Sequence, residues 1–193
     1  MVATASAAQK PAYRPRRYEQ FVIEIRTVTA EEGRLHTAAL AEVLLDCVAG
    51  GASVSFMASL SKDEAEDFFR KVVDSVERGE RILLAAFDDA RLVGTVQVVT
   101  ATPPNQPHRA DIAKLLVQRS ARRQGVASRL MNAAEGASRQ AGKTLLVLDT
   151  VTGEQAEKLY LRMGWTKAGI IPNYALFPDG RFCDTTIFWK QLS

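Results

Sequence analysis

The sequence is poor in the residues that hold metals and disulfides. Its 193 residues include two cysteines, Cys47 and Cys183, and two histidines, His36 and His108. Two cysteines build neither a disulfide framework nor a Cys-rich zinc site. The histidines stand too far apart in sequence to propose a metal site, so no metal is expected. A reducing cytoplasm is the simplest setting for such a chain. No apolar run approaches membrane-spanning length, and no apolar signal core follows Lys10. Net charge is also missing from the body, where basic and acidic residues balance. The formal net charge is +3, and Lys10, Arg14, Arg16 and Arg17 against Glu19 account for all of it ahead of Phe21. A neutral body argues against a nucleic-acid protein that relies on many phosphate contacts.

What is present is an ordinary globular composition, 47% hydrophobic and 24% charged, with enough length for one domain with a real core. Residues 1–20 are rich in Ala, Ser, Pro and Arg without periodicity and read as a disordered basic tail. Residues 21–193 read as a single domain. Internal repeats and a second-domain linker are absent.

The stretch from Asp111 to Leu130 organises the rest. An apolar-rich run of strand length, Asp111–Val117, meets a short basic turn, and helix-like sequence follows to about Ala141. Gly125 and Ala127 leave room for something to approach the backbone closely. A helix start there leaves N–H groups unpaired, and with the helix dipole these suit an anion. Arg122 and Arg123 add positive charge. A phosphate-bearing ligand, held where a strand turns into a helix, is the first expectation. Each arginine also has a plain reading as a solvated surface charge.

Other elements fall around this one. Phe21–Arg26 reads as a first strand. Thr29 with Glu32 and Ser61 with Glu64 have capping-box spacing, each opening a helix with an apolar stripe. Between the helices, Gly51–Met57 is a loop of small residues, either a connector whose Phe56 and Met57 plug the core or one wall of a substrate pocket. Arg81–Phe87 and Arg91–Thr100 form a hairpin, and Gly94 marks a bulge. Leu145–Leu148 reads as a central strand flanked on both faces. Glu154–Met163 is a short helix, Trp165–Ile171 a strand, Pro172–Arg181 a loop and Phe182–Lys190 the closing strand. The order β-α-α-β-β-β-α-β-α-β-β predicts an α/β (α+β) fold, a mixed sheet of seven strands with helices on both faces.

Arg122-x-x-Gly125-x-Ala127 after a strand resembles the acyl-CoA-binding motif of the GNAT superfamily of N-acetyltransferases. Gly153-x-x-x-Ala156-x-x-x-Tyr160-x-x-x-Gly164-Trp165 resembles the family's helix before its sixth strand. Four further segments are similar to the tabtoxin resistance acetyltransferase subgroup: Gly50–Ala58, Arg109-Ala110-Asp111, Leu148-Asp149-Thr150 and Pro178-Asp179-Gly180-Arg181. The likeness runs from about Glu31 to Leu192. It departs at Asp111, where the subgroup carries Glu, which keeps a carboxylate but shortens its reach.

The resemblance implies a mostly antiparallel sheet whose fourth and fifth strands splay apart, and transfer of an acetyl group from acetyl-CoA to a primary amine. A small-molecule amine is the expected partner, amino-acid-like or an antibiotic or toxin. A protein or peptide acceptor and a non-catalytic acyl-CoA-binding module are the alternatives. A monomer or homodimer is expected. The backbone of Arg123, Gln124, Gly125, Val126 and Ala127, with Arg122, would take the CoA pyrophosphate. Leu115, Leu116 and Val117 would line the pantetheine, with the Leu116 N–H aimed at the thioester oxygen. Tyr160 resembles the family's general acid and would also contact the cofactor. Asp111 and Asp149 are the carboxylates available for amine activation. A carboxylate pKa of about 4 against an alkyl ammonium of about 10 makes direct abstraction poor. Asp111 would instead orient a water, bind the ammonium or fix its strand; Asp149 would contact substrate or cap the helix near Thr152. His108 adjoins the same strand, as a base, a substrate contact or a loop residue without a role.

Overall fold

The computed structural model describes residues 23–193. The tail, and Phe21 and Val22 of the first expected strand, lie outside them. Seven strands and four helices follow the expected order: β1 Ile23–Val28, α1 Ala30–Ala49, α2 Lys62–Glu77, β2 Arg81–Asp88, β3 Arg91–Val99, β4 Arg109–Val117, a 3-10 turn Arg119–Ala121, α3 Val126–Gln140, β5 Leu145–Val151, α4 Gln155–Arg162, β6 Thr166–Leu176 and β7 Phe182–Gln191. Thr29 and Ser61 cap α1 and α2, each in a complete capping box with Glu32 or Glu64.

The strands lie in one sheet in the order β1-β2-β3-β4-β5-β7-β6. Only β4 and β5 pair in parallel, because α3 carries the chain from one to the other across a sheet face. Two cores result. Ala110, Ile112, Leu146, Leu148 and Phe188 pack with Val126, Leu130 and Met131 of α3. Leu83, Ala85, Phe87 and Leu116 pack with Leu40, Leu44 and Phe69 of α1 and α2. That second core contains no residue of β5, β6 or β7. The face of β5 turned toward the α1–α2 side is therefore open, with Leu145 and Val147 only half-buried. The expectation of a β5 flanked on both faces is corrected: helices cover one face alone.

Two bulges set the geometry of the centre. On β3, Ala86 faces Gly94 while Phe87 faces Leu92, so Val93 is the extra residue of the hairpin. On β4, Gln97 faces Ala113 while Thr95 faces Leu116, which leaves Lys114 and Leu115 opposite Val96. Lys114 has φ 50°. A bulge bends its strand and exchanges its faces, so Ile112 points into the α3 core and Leu116 into the α1–α2 core.

Other expectations shift at the margins. The helix expected from Arg123 begins at Val126. β6 runs on through Pro172 to Leu176, absorbing half of the expected loop, and two extra residues bulge between Ile171 and Ala175. Asn173 (φ 52°) is held there by Asp184, whose carboxylate accepts from its N–H at 2.9 Å.

Gly94 leaves no room for a side chain between β3 and β4. A Cβ there would stand 2.9 Å from the Leu116 carbonyl oxygen and 3.2 Å from Leu130 Cδ1. Gly94→Ala is therefore expected to cost about 1–3 kcal/mol, the range for overpacking. At roughly 2–4 °C per kcal/mol, thermal denaturation resolves the change. An unchanged melting temperature would show that the two strands part there freely.

Candidate active site

The sheet comes apart at its centre. β4 and β5 pair over three positions only, Arg109 with Leu145, Ala110 with Leu146 and Asp111 with Val147. Beyond Asp111 the bulge carries β4 away, while β5 continues along β7 to Val151. A wedge-shaped gap opens between them, and both strands turn unpaired peptide groups into it.

The register fixes which β4 peptides those are. Gln118 donates its N–H to the Val93 carbonyl at 2.9 Å, and the same ladder pairs Leu116 with Thr95. Peptide groups two residues apart face the same way, so the Leu116 N–H turns toward β3. The expectation that Leu116 supplies the free donor is thus corrected. Leu115 and Val117, one position on either side, face the gap. The Val117 carbonyl confirms the direction, since it accepts from Arg122 Nε at 3.2 Å and from Cys47 Sγ at 3.5 Å rather than from β3.

Below the gap lies the turn into α3. Arg123 and Gly125 both have positive φ, 63° and 76°. Gly125 is the N-cap and no side chain caps the helix. Among the described residues, no backbone N–H from Arg123 to Ser128 has an acceptor. A Cβ at Gly125 would meet nothing nearer than Ser128 Oγ at 3.9 Å, so the N–H groups face open space. Such a run of donors is an anion-binding concavity. Arg122 is turned back on β4 and on Cys47; Arg123 and Gln124 remain exposed. The turn is anchored from behind by Asp46 of α1, which accepts from the Arg119 N–H at 2.7 Å and from its Nε at 2.9 Å.

The two sheet faces carry different chemistry at the gap. On the α3–α4 face lies Tyr160, buried against Trp165 and Phe188. Its hydroxyl has no hydrogen-bond partner among the described residues. Burial raises its pKa well above the ordinary phenol value, and the charge of Asp149 adds to the rise. On the other face, Asp111 is clasped by Arg109 through both terminal nitrogens, at 3.1 and 3.2 Å. Burial raises the Asp111 pKa; Arg109 opposes the shift and Asp149 adds to it. Asp149 itself is exposed. It does not cap α4, whose N-cap is Glu154 without a side-chain bond, so the capping role considered for it is corrected. It stands on β5 two residues beyond the last pair with β4, and its charge acts on Asp111, Lys114 and Tyr160.

Walls rise beside this face. Ser53 Oγ donates to the Leu176 carbonyl at 2.7 Å, and the Ala58 N–H donates to the Pro178 carbonyl at 3.0 Å. The α1–α2 loop is thereby tied to the β6–β7 hairpin. Phe56 packs edge-on against Phe68 while Met57 is exposed, so the loop is both core plug and wall. A recess of about 470 Å³, lined by Arg34, Thr37, Glu66 and Arg70, lies on the outer side of α1 and α2, away from the gap.

A family profile described as acetyltransferase (GNAT) family matches residues 49–165, more than half of the chain. The chain belongs to the acetyltransferase (GNAT) family. Solved structures share its fold. An N-acetyltransferase from Staphylococcus aureus is 19% identical with a TM-score of 0.74, over 89% of this chain and 99% of that one. The protein yncA from Salmonella typhimurium, solved with its cofactor acetyl-CoA, is 16% identical with a TM-score of 0.73, over 89% and 94%. A ribosomal-protein-alanine N-acetyltransferase from Brucella melitensis is 19% identical with a TM-score of 0.74, over 88% and 99%.

Asp111 and Asp149 thus stand on one sheet face beside the gap, Tyr160 lies in the core of the opposite face, and the Arg122–Ala127 turn leads from β4 into α3. His108 stays apart: its carbonyl accepts from Thr144 and Leu145, and its side chain is exposed. Among the described residues no helix is long and apolar enough to cross a membrane, and no three His, Cys, Asp or Glu residues cluster as metal ligands. Lys114, Arg81 and Gln97 share the sheet face of Asp111 and stand outside the set of expected site residues. The one signal for Lys114 was a cation in the middle of an apolar strand.

Asp46 gives a pH-dependent test of the anchored turn. Burial opposes its ionisation, but the Arg119 N–H and guanidinium and the charge of Arg122 outweigh this and hold the carboxyl below its ordinary value. A depressed folded-state pKa gives stability that is present above the unfolded value of about 3.9 and lost as pH falls through the folded one. Asp46→Asn is expected to cost about 1–2 kcal/mol at pH 7, with wild type and variant converging as pH falls through the depressed folded-state pKa. Denaturant unfolding across that range decides; a gap that persists at low pH would assign the loss to packing.

Proposed function

We propose that the chain transfers the acetyl group of acetyl-CoA to a primary amine of a small molecule, by direct attack with both substrates bound. The observation that carries this reading is the gap itself: unpaired peptides of β4 and β5 lead to a run of free N–H groups at the start of α3. An extended amide-bearing arm that ends in a pyrophosphate matches both parts. Acetyl-CoA is such a molecule, and it supplies the acyl carbon as an activated thioester.

The protein's own groups divide the work. The N–H groups of Arg123, Gln124, Gly125, Val126 and Ala127 take the diphosphate, with Arg123 adding charge and Arg122 bracing the turn. Leu115 and Val117 offer backbone bonds to the arm. The Leu115 N–H, beside the bulge, stabilises negative charge on the carbonyl oxygen during attack. Asp149, exposed beside the gap, receives the acceptor ammonium. Asp111, held by Arg109, acts through water in taking its proton. Tyr160 waits on the opposite face. Its raised pKa keeps the phenol protonated, so it stands as a hydrogen-bond donor to the sulfur as the carbon–sulfur bond breaks. Full proton transfer to a thiolate of pKa about 8.5 is harder than for an unperturbed phenol.

The tie between the α1–α2 loop and the β6–β7 hairpin supports a small acceptor over an extended peptide. The motifs similar to the tabtoxin resistance subgroup support an amino-acid-like acceptor, an antibiotic or toxin among them. The fold does not choose, because a relative of equal similarity is named for a ribosomal protein.

Two substitutions test the division of labour. Gly125→Val places a β-branched residue at φ 76° and fills the concavity, so calorimetric affinity for acetyl-CoA should fall at least tenfold in a folded protein. Retained affinity would move the phosphate site elsewhere. Tyr160→Phe keeps the ring and its packing. The single-turnover transfer rate should drop by about 10²-fold, the lower end of the range for a positioned acid, with acetyl-CoA still bound. A wild-type rate would leave the thiolate to be protonated by water.

A further inference from the structure

The face of the sheet under the α1–α2 loop carries three cations and two carboxylates: Arg81, Arg109 and Lys114 with Asp111 and Asp149. The charge of Arg109 is matched by Asp111, although its buried Nε has no partner among the described residues. The other two cations are not matched. Arg81 is half-buried and bonds Gln97 Oε1 through Nη1, with no carboxylate at salt-bridge distance among the described residues. Its Nε has no partner, nor has Nε2 of the fully buried Gln97. Lys114 is half-buried, and its Nζ donates to a neutral acceptor, Ser55 Oγ, at 3.0 Å. The Phe68 ring lies 6.0 Å away. Both ends of this bond have left-handed backbone, Ser55 at φ 75° and Lys114 at φ 50°. Strain of this kind persists where surrounding structure enforces it, and it gathers at binding sites.

Half-buried cations hydrogen-bonded only to neutral partners carry a desolvation cost that those bonds return only in part. Burial pulls the Lys114 ammonium below its ordinary range; Asp149 works against the shift and Arg81 with it. Burial lowers Arg81 too, against the charge of Glu80. An anion beside Lys114 would relieve both. Asp149, close enough for its charge to act on Lys114, offers the opposite sign beside the gap.

We propose that Lys114 Nζ and Ser55 Oγ, backed by Arg81, seat an anionic group of the acceptor, so that the acceptor is a zwitterion whose ammonium lies toward Asp149. The inference rests on the transfer reading above and sharpens it. Its ligand class is a free amino acid or an aminophosphonate. A protein N-terminus fits poorly, since its first carboxyl is tied up in a peptide bond.

The experiment measures thiol release from acetyl-CoA with amino acids, their carboxamides, the matching aminophosphonates and short peptides. The best amino acid should exceed its carboxamide at least tenfold in kcat/KM. In Lys114→Met that ratio should collapse to within about twofold, through a raised KM for the acid. Lys114→Arg should keep most of the preference, and Lys114→Gln serves as the neutral variant if the methionine one melts early. Use of the aminophosphonate would show that the seat reads charge rather than carboxylate shape. An unchanged ratio in a folded neutral variant, equal losses for acid and amide, or an equal loss of acetyl-CoA affinity overturns the proposal. If amides or peptides are acetylated and amino acids are not, the seat is wrong and the transfer reading stands. If no amine is acetylated, both fall.

Discussion

Everything at the centre of this molecule depends on a ladder that stops. β4 and β5 are bonded through three residue pairs and then separate. Buried peptide groups are almost always paired, so a sheet that opens in its interior must exchange bonds with something else. One extra residue in β4 makes the opening. It turns the strand, sends Leu116 into the α1–α2 core and leaves Lys114 in a left-handed conformation on the opposite side of the gap from Asp149. The helix that follows then starts at Gly125 with its donors free. The strand break and the half-buried lysine are thus consequences of one insertion, and the helix start lies just beyond it.

The gap also explains how groups on opposite sheet faces can serve one reaction. Tyr160 belongs to the core under α3 and α4, whereas Asp111 and Lys114 stand on the other face. In a closed sheet they would be separated by a layer of backbone. Asp149 lies at the break and its charge reaches all three. Burial is the main cause of the shifts at all three; the Asp149 carboxylate adds to the rise at Tyr160 and Asp111 and partly offsets the fall at Lys114. The absence of a helix over β5 on this side leaves room for an acceptor, and the Ser53–Leu176 tie limits its size.

The fold was legible wherever the signal was local. Thr29-Glu32 and Ser61-Glu64 write helix starts into four residues each, and Gly94 marks a bulge because a side chain would meet Leu116. Gly125 was readable for the same reason: its left-handed turn needs glycine. What the sequence hid depends on neighbours distant in the chain. Leu115 and Leu116 look equivalent, and only the pairing of Thr95 and Gln118 shows which peptide faces the gap. Leu145–Leu148 looks like a strand buried on both faces, although only α3 and α4 cover it. The end of β6 was hidden by Pro172, which sits where the strand bulges. A break in alternation between Ile112 and Leu116, with a lysine between them, was the one visible trace of the β4 bulge.

The central claim is that β4 offers its backbone to the acyl donor at alternate residues. Amide hydrogen exchange resolved by NMR, with and without acetyl-CoA, reads this directly. The Leu115 and Val117 amides should exchange readily in the free protein and become protected on binding, together with Arg123 to Ala127. Leu116 should be protected in both states, because its N–H is spent on β3. Protection gained at Leu116 instead, or no change anywhere along Leu115–Val117, would contradict it.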